Sequence, residues 1–295
     1  MKDIKIAAIE MDVKLGDKEA NLESIKNWTI KAAQKGVELI CFPELCISGY
    51  MRSHSLPDLT PSQIGDKVWE LSEPIPNGPS SIFLSKLAST YKVYILAGLP
   101  GRENDYVYNS YVIFGPDGFI GDYHKTHIST CEYPFYRGGY ETPVFTLPKL
   151  VLGISTCYDC KFPELPRILA LKGAELIIMP HTWPVEDPYD TRKRSLTANE
   201  RRNELLKFVP CRAFENTAYV LYVDSVGTQS PTMHFPGVSM IVDPRGDLIA
   251  ESKGSKETMI IANLKGKSID KERSATYFTL RTRRPELYSE LTKPK

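Results

Sequence analysis

An α/β fold of two sheets with helices on their outer faces is what this sequence predicts, and three observations predict it. Apolar runs of strand length alternate with segments of helical period, as in IKIAAIEMDV, NLESIKNWTIKAAQKG and VELICFPE. Further along, neighbouring strand-like runs are joined by Pro-Asp-Gly and Pro-Arg-Gly turns, so hairpins stand beside crossovers and the pairing is mixed. No Ser/Gly-rich linker, repeat or low-complexity tract divides the 295 residues, which places both kinds of unit in a single domain.

The first βαβ unit runs through Glu44. Leu22, Ile25, Trp28 and Ala32 recur near helical spacing, Gly36 stands where a helix C-cap belongs, and Pro43 suits a strand end rather than a ladder interior. Residues 51–79 hold five prolines and little periodicity, and read as a surface excursion of the kind that shapes a pocket. The helix SSIFLSKLASTYK follows, then the strands VYILAGLPG, YVYNSYVIFGPDG and FIGDYHKTH, the last two joined by the turn at residues 116–118. KLVLGISTCYD, a helix carrying Leu165, Ile168 and Leu169 up to Gly173, and AELIIMP form a second βαβ unit. One helix from about Thr191 to Glu215 leads to AYVLYVDSVG, the hairpin GVSMIVDPRGDLIAES and ETMIIANL. The domain is taken as residues 1–264. The charged extension 265–295 has little to bury by itself and is expected to pack on the domain or on a partner subunit.

Composition narrows the function. Thirty-seven Lys and Arg against 36 Asp and Glu leave a formal charge of +1, so no global field points to nucleic acid or an anionic membrane, and a small or neutral partner is expected. The opening MKDIKIAAIEMDV has no long apolar segment or cleavage site, and no later run is long enough to span a bilayer; a soluble cytoplasmic protein is the expectation. Lys265-Gly266-Lys267-Ser268 has Ile261 where a phosphate cradle needs its first glycine, and neither GxGxxG nor GxSxG occurs.

The stretch GISTCYDC raises the chemical question, because Cys157 and Cys160 could be a metal clip, a redox pair, or a nucleophile with a bystander. Zinc would want a second close pair of ligands, and Cys41–Cys46 is too widely spaced to supply it. A redox pair usually opens a helix directly, whereas here Phe162-Pro163-Glu164 must be passed first. Three reactive side chains stand at strand ends: Glu44 in CFPELCISGY, Lys125 in DYHKTHIS and Cys157 in GISTCYDC. Singly, each has an ordinary reading as a helix cap, a solvated charge or a small buried hydrophobe. Together they are a thiol, a carboxylate base and a cation for an oxyanion, the set that cysteine-dependent acyl transfer requires.

At these residues the sequence resembles the carbon-nitrogen hydrolases of the nitrilase superfamily. FPELCISGY is similar to the family's glutamate motif, HKTH to its lysine motif and GISTCYDCKFPELPR to its cysteine elbow; CRAFEN, FPGVSMIVDPRG and RRPELY also match, in order. The resemblance implies a four-layer αββα sandwich, a homodimer or higher homo-oligomer, no cofactor or metal, and a catalytic set of Glu44, Lys125 and Cys157, with Cys160 the bystander. It also implies Glu132 as a fourth residue holding the Lys125 ammonium, and the Tyr158 N–H as an oxyanion donor. The sequence departs from the family pattern at Lys161, where arginine is usual; losing the planar fork is expected to weaken a structural ion pair.

The implied activity is hydrolysis of a small primary amide to an acid and ammonia through a thioester. Alternatives are an N-carbamoyl amino acid or carbamoyl amine, a nitrile, and, from another class, an idle scaffold that only binds partners. Candidate pocket walls are Tyr50, the loop around His54, Tyr133, Tyr158, His181 and Trp183. Arg192, Lys193 and Arg194 follow them, and Arg192 and Arg194 are candidates for gripping a substrate carboxylate.

Overall fold

The computed structural model describes residues 1–52, 55–185, 197–231, 233–276 and 278–293. β1 (Ile4–Glu10), α1 (Lys18–Gln34) and β2 (Leu39–Cys41) form the first crossover, with β1 and β2 parallel. Asp17 caps α1 by accepting from the Ala20 N–H. α1 is followed by Gly36 at φ 70°, a left-handed turn that glycine makes without strain.

The stretch between 51 and 79 is not irregular throughout, because it contains α2 (Pro61–Leu71). Its signal is local rather than periodic. Pro61 occupies the first turn, where its missing N–H is no loss, and Thr60 and Gln63 close a reciprocal capping box. Only Ile64 and Val68 of this helix are buried, too few to show a period in the sequence. α3 (Pro79–Tyr91) follows, then the meander β3 (Tyr94–Glu103), β4 (Tyr106–Gly115) and β5 (Gly118–His124).

The second half holds β6 (Val144–Thr146), β7 (Val151–Ile154), α4 (Glu164–Leu171) and β8 (Leu176–Pro180), with β7 and β8 parallel as the second βαβ unit requires. The single long helix expected next is two helices, α5 (Ala198–Leu205) and α6 (Val209–Asn216); residues 191–196 lie outside the described residues. Pro210 explains the break: it cannot donate within a continuing helix, and here it stands in the first turn of a new one. β9 (Tyr219–Val223) ends before Asp224, so AYVLYVDSVG is not one strand. Val226 begins a separate hairpin of β10 (Val226–Ser230) and β11 (Met233–Pro236). β12 (Met240–Val242), β13 (Leu248–Glu251), β14 (Thr258–Leu264) and α7 (Gly266–Ser274) complete the order.

Two six-stranded mixed sheets result, ordered β14-β1-β2-β3-β4-β5 and β13-β12-β9-β8-β7-β6. Alternate residues of β1 explain why its sequence is apolar on both sides. Ile4, Ile6 and Ala8 belong to the core shared with Leu152, Ile154 and Ile178 of the second sheet. Ala7 and Ile9 face the opposite core with Ile25 of α1 and Leu84 of α3. Each fully buried aliphatic side chain here contributes about 1.5–3 kcal/mol relative to exposure. With α4 and α6 packed on the second sheet, the architecture is a four-layer αββα sandwich. In the extension, α7 buries Ile269, and Arg273 donates to the Thr217 and Ala174 carbonyls, while Leu287 and Leu291 beyond it are exposed. Among the described residues no helix is long and apolar enough to cross a membrane.

Candidate active site

The C-terminal ends of parallel strands β2, β7 and β8 point to one place, where an α/β sheet leaves room for a site. After β2, Phe42 and Pro43 lead to Glu44, and the chain turns there through Leu45 at φ 47°. Gly98 of β3 permits this turn, because a Cβ at that position would collide with the Glu44–Leu45 backbone. Thr182 at the end of β8 donates to the Glu44 carbonyl at 2.6 Å, joining the two sheets behind the site. Cys157 opens a 3-10 turn after β7 at φ 50°, a left-handed conformation unusual for a residue with a side chain.

Asp159 locks this elbow to the loop that carries Lys125. Its carboxylate accepts from the Thr156 N–H at 3.1 Å and the Tyr123 hydroxyl at 2.7 Å on one oxygen. The other oxygen accepts from the His127 N–H at 2.8 Å and the Thr126 hydroxyl at 2.9 Å. One buried carboxylate therefore fixes the relative position of two segments about thirty residues apart.

The Lys125 ammonium is wholly buried and donates to Glu44 Oε1 at 2.9 Å and Glu132 Oε2 at 2.7 Å. Glu132, expected to hold this ammonium, is thus beside it, and its Oε2 also accepts from Ser129 Oγ at 2.6 Å. Asn109 was not foreseen. Its Nδ2 donates to Glu44 Oε1 at 2.8 Å and to Glu132 Oε1 at 2.9 Å, so it holds both carboxylates beside the one cation. Its signal is a polar residue inside the apolar strand YVYNSYVIF, which a buried strand carries only with partners. Glu44 Oε2 is buried and has no hydrogen-bond partner, which leaves one carboxylate oxygen open to accept a proton.

The electrostatics follow from this arrangement. Burial, reinforced by Glu132, holds Glu44 above the usual carboxylate range despite the adjacent ammonium. Burial, and then the Glu44 carboxylate, push the Cys157 thiol well above its ordinary value. Burial lowers Lys125, but the negative charges of Glu132 and Glu44 outweigh it and hold the ammonium well above the ordinary lysine value. The resting site is therefore a neutral thiol beside a fixed cation and a carboxylate, and the thiol needs a base before it can attack.

Cys157 and Tyr158 open into a cavity of about 450 Å³ whose wall includes Tyr50, His181 and Trp183. Tyr133 is exposed and is not among the lining residues. His54, Arg192, Lys193 and Arg194 lie outside the described residues. Cys160 is buried away from the cavity, with its sulfur 3.2 Å from His181 Nε2. The other ring nitrogen of His181 faces the Met179 carbonyl at 3.2 Å, so it carries the proton and Nε2 accepts from the thiol. Burial holds His181 well below its usual range and neutral. Among the described residues no group of His, Cys, Asp or Glu is arranged to hold a metal ion.

At Lys161, where a weakened structural ion pair was expected, the structure shows aromatic contacts instead. Among the described residues no carboxylate lies within ion-pair distance of it, and its ammonium stands 4.2 Å from the centroids of both Trp183 and Phe208. Arg201, also unforeseen, stacks 3.7 Å over Trp183 and donates to the Pro184 carbonyl at 3.1 Å. Asp224 holds the same wall from behind, accepting from the Trp183 N–H at 3.2 Å and the Ser225 N–H at 2.9 Å.

Burial pushes Asp224 up to about 7, which has a consequence for stability. The folded state binds this proton more tightly than the unfolded chain, whose aspartate titrates near 3.9. Its contribution is therefore present at low pH and is lost as pH rises from about 4 to about 7. Asp224→Asn keeps the acceptor oxygen and removes the ionisation, so its melting temperature relative to wild type should be higher at pH 8 than at pH 5. A difference independent of pH would rule out the buried titration.

A family model described as carbon-nitrogen hydrolase matches residues 5–273. The sequence is 30% identical over 262 residues to a nitrilase of Pyrococcus abyssi, covering 88% of this chain and 89% of that protein. It is 29% identical over 306 residues to omega-amidase NIT3 of Saccharomyces cerevisiae, covering 98% and 96%. The crystal structure of Saccharomyces cerevisiae Nit3, described as a member of branch 10 of the nitrilase superfamily, matches with a TM-score of 0.79 at 27% identity, covering 94% of this chain and 96% of that one. With the strand-end geometry and a match over nearly its whole length, this chain belongs to the carbon-nitrogen hydrolase family of the nitrilase superfamily and is an enzyme of that class.

Proposed function

We propose that the enzyme hydrolyses a primary amide of a small organic acid to the carboxylic acid and ammonia through a thioester on Cys157. The observation that carries this reading is the buried array of Glu44, Lys125 and Glu132, with an unpartnered Glu44 oxygen, beside a thiol held on a left-handed elbow. Glu44 takes the thiol proton as sulfur attacks the carbonyl carbon. The Lys125 ammonium and the Tyr158 N–H stabilise the resulting oxyanion; one such donor is worth about 3 kcal/mol of barrier. Glu44 returns the proton to nitrogen, the C–N bond breaks, and ammonia leaves. Water then attacks the thioester, giving a proton to Glu44, which passes it to the departing thiolate as the acid is released. Glu132 and Asn109 keep Glu44 and Lys125 in register throughout. Every step uses a side chain or backbone group of this chain, and no cofactor is required. The similarity to an omega-amidase supports an amide as substrate.

The test follows ammonia and carbon dioxide together over a panel of primary amides, N-carbamoyl amino acids and nitriles, with mass spectrometry of the quenched enzyme. The expected result is ammonia without carbon dioxide from an amide, and an acyl adduct on the peptide containing Cys157. Carbon dioxide released in step with ammonia, from carbamoyl substrates preferred over every amide, would reverse the order of the two readings.

A further inference from the structure

We propose that the cavity beside Cys157 reads a zwitterion: Lys161 takes the carboxylate and Glu204 the ammonium of an α-amino acid whose side-chain amide is presented to the thiol. This names the substrate class of the amide reading and rests on it.

Lys161, Glu204, Cys157 and Tyr158 line one cavity of about 450 Å³, a size suited to a small molecule. Of the charged side chains on its wall, Lys161 and Glu204 are not paired with each other, and neither makes a side-chain hydrogen bond among the described residues. The ammonium of Lys161 lies against the faces of Trp183 and Phe208, and among the described residues it makes no hydrogen bond and no ion pair. Aromatic faces orient a cation without using the directed N–H bonds that a carboxylate would accept. Burial lowers Lys161, and an anion arriving from the cavity would restore its preference for the proton.

Glu204 is the complementary case. Its Oε2 is buried without a hydrogen-bond partner, and the nearest cation, Arg201 Nη1, is 3.9 Å away at the outer limit of an ion pair. Arg201 is itself held elsewhere, stacked on Trp183 and donating through Nη2 to the Trp183 and Pro184 carbonyls. Glu204 therefore keeps an acceptor for a donor that comes from the cavity.

A charge of each sign on one small wall, neither engaged by a hydrogen bond, discriminates strongly. A neutral amide leaves both groups without a hydrogen bond, and a substrate of one charge leaves the other so. A ligand carrying both charges satisfies both, and each charge-assisted bond is worth roughly ten-fold or more in affinity. An α-amino acid places the two groups on one carbon and leaves its side-chain amide free to reach Cys157.

The test is calorimetric binding to Cys157→Ala protein, which retains ligands without turning them over. The ligands are L-asparagine and L-glutamine, 5-amino-5-oxopentanoate without the ammonium, 4-aminobutanamide without the carboxylate, and butanamide without either. The better amino-acid amide should bind roughly ten-fold or more tightly than either singly charged analogue, and butanamide should bind weakest. Adding Lys161→Met should collapse the advantage over 4-aminobutanamide, and Lys161→Arg should keep it. Adding Glu204→Gln should collapse the advantage over 5-amino-5-oxopentanoate. The proposal is overturned if neither amino-acid amide binds, if a singly charged or neutral analogue binds as tightly, or if either wall variant weakens all ligands by a common factor. Ammonia release by the wild-type enzyme is read separately. Its failure with the binding pattern intact removes the hydrolysis reading, whereas turnover without charge preference removes only this one.

Discussion

Replacing Cys157 by alanine should lower amide turnover by a factor on the order of 10⁶, the loss expected when a covalent nucleophile is removed and only binding and oxyanion donors remain. No other thiol stands on the left-handed elbow. Cys41, Cys46 and Cys160 are buried outside the cavity, Cys160 is engaged by His181, and Cys211 is exposed on α6. Cys131 lines the cavity, but its sulfur is engaged by the Ser129 and Tyr50 hydroxyls. Alanine has the same Cβ as cysteine and meets the same cost at φ 50°, so the fold should persist. The checks are steady-state kinetics beside circular dichroism, together with labelling by an iodoacetamide probe, which should mark Cys157 ahead of the other five thiols in wild type. Retained amidase activity in a folded variant would remove the nucleophile role. Absence of both selective labelling at Cys157 and turnover of any C–N substrate would favour a scaffold of the same fold.

Glu44→Gln should cost roughly 10³–10⁴ in kcat/KM, the upper range for loss of a positioned general base. Glutamine can still accept from the Lys125 ammonium through an oxygen, so the geometry is largely kept. It cannot take the thiol proton, and that thiol is pushed well above its ordinary value and does not ionise unaided near neutrality. The pH profile separates this from a structural effect. In wild type the rate should rise with pH as Glu44 ionises, through a pKa above the usual carboxylate range because burial opposes the charge. In Glu44→Gln that acid limb should vanish, leaving a low rate nearly flat below neutrality. An acid limb unchanged in the variant would assign it to another group and end the general-base role.

Glu44, Lys125 and Cys157 were legible as candidates because each stands just past a strand, and strand ends are marked by residues within a few positions: Pro43, the His-Lys-Thr-His run and the Gly153 strand. The alternating periods likewise read out the two βαβ units and the hairpin at 116–118, since dihedral preference and side-chain period act over neighbouring residues. α2 and the break before α6 were missed where a local cap or a proline's place in a first turn outweighed the period.

The amino-acid sequence by itself determined the fold class, the order of its units and the three strand-end side chains, Glu44, Lys125 and Cys157, proposed to carry the chemistry. Only the tertiary structure decided their state and company. Asn109 reaches Glu44 across 65 residues, Thr182 reaches the Glu44 carbonyl across 138, and Lys161 faces aromatic rings rather than an ion-pair partner. The physical reason is that protonation and pairing depend on how much water is excluded from a group and which charges remain near it. Both are set by two sheets closing over one core, whose contacts join residues far apart in the chain.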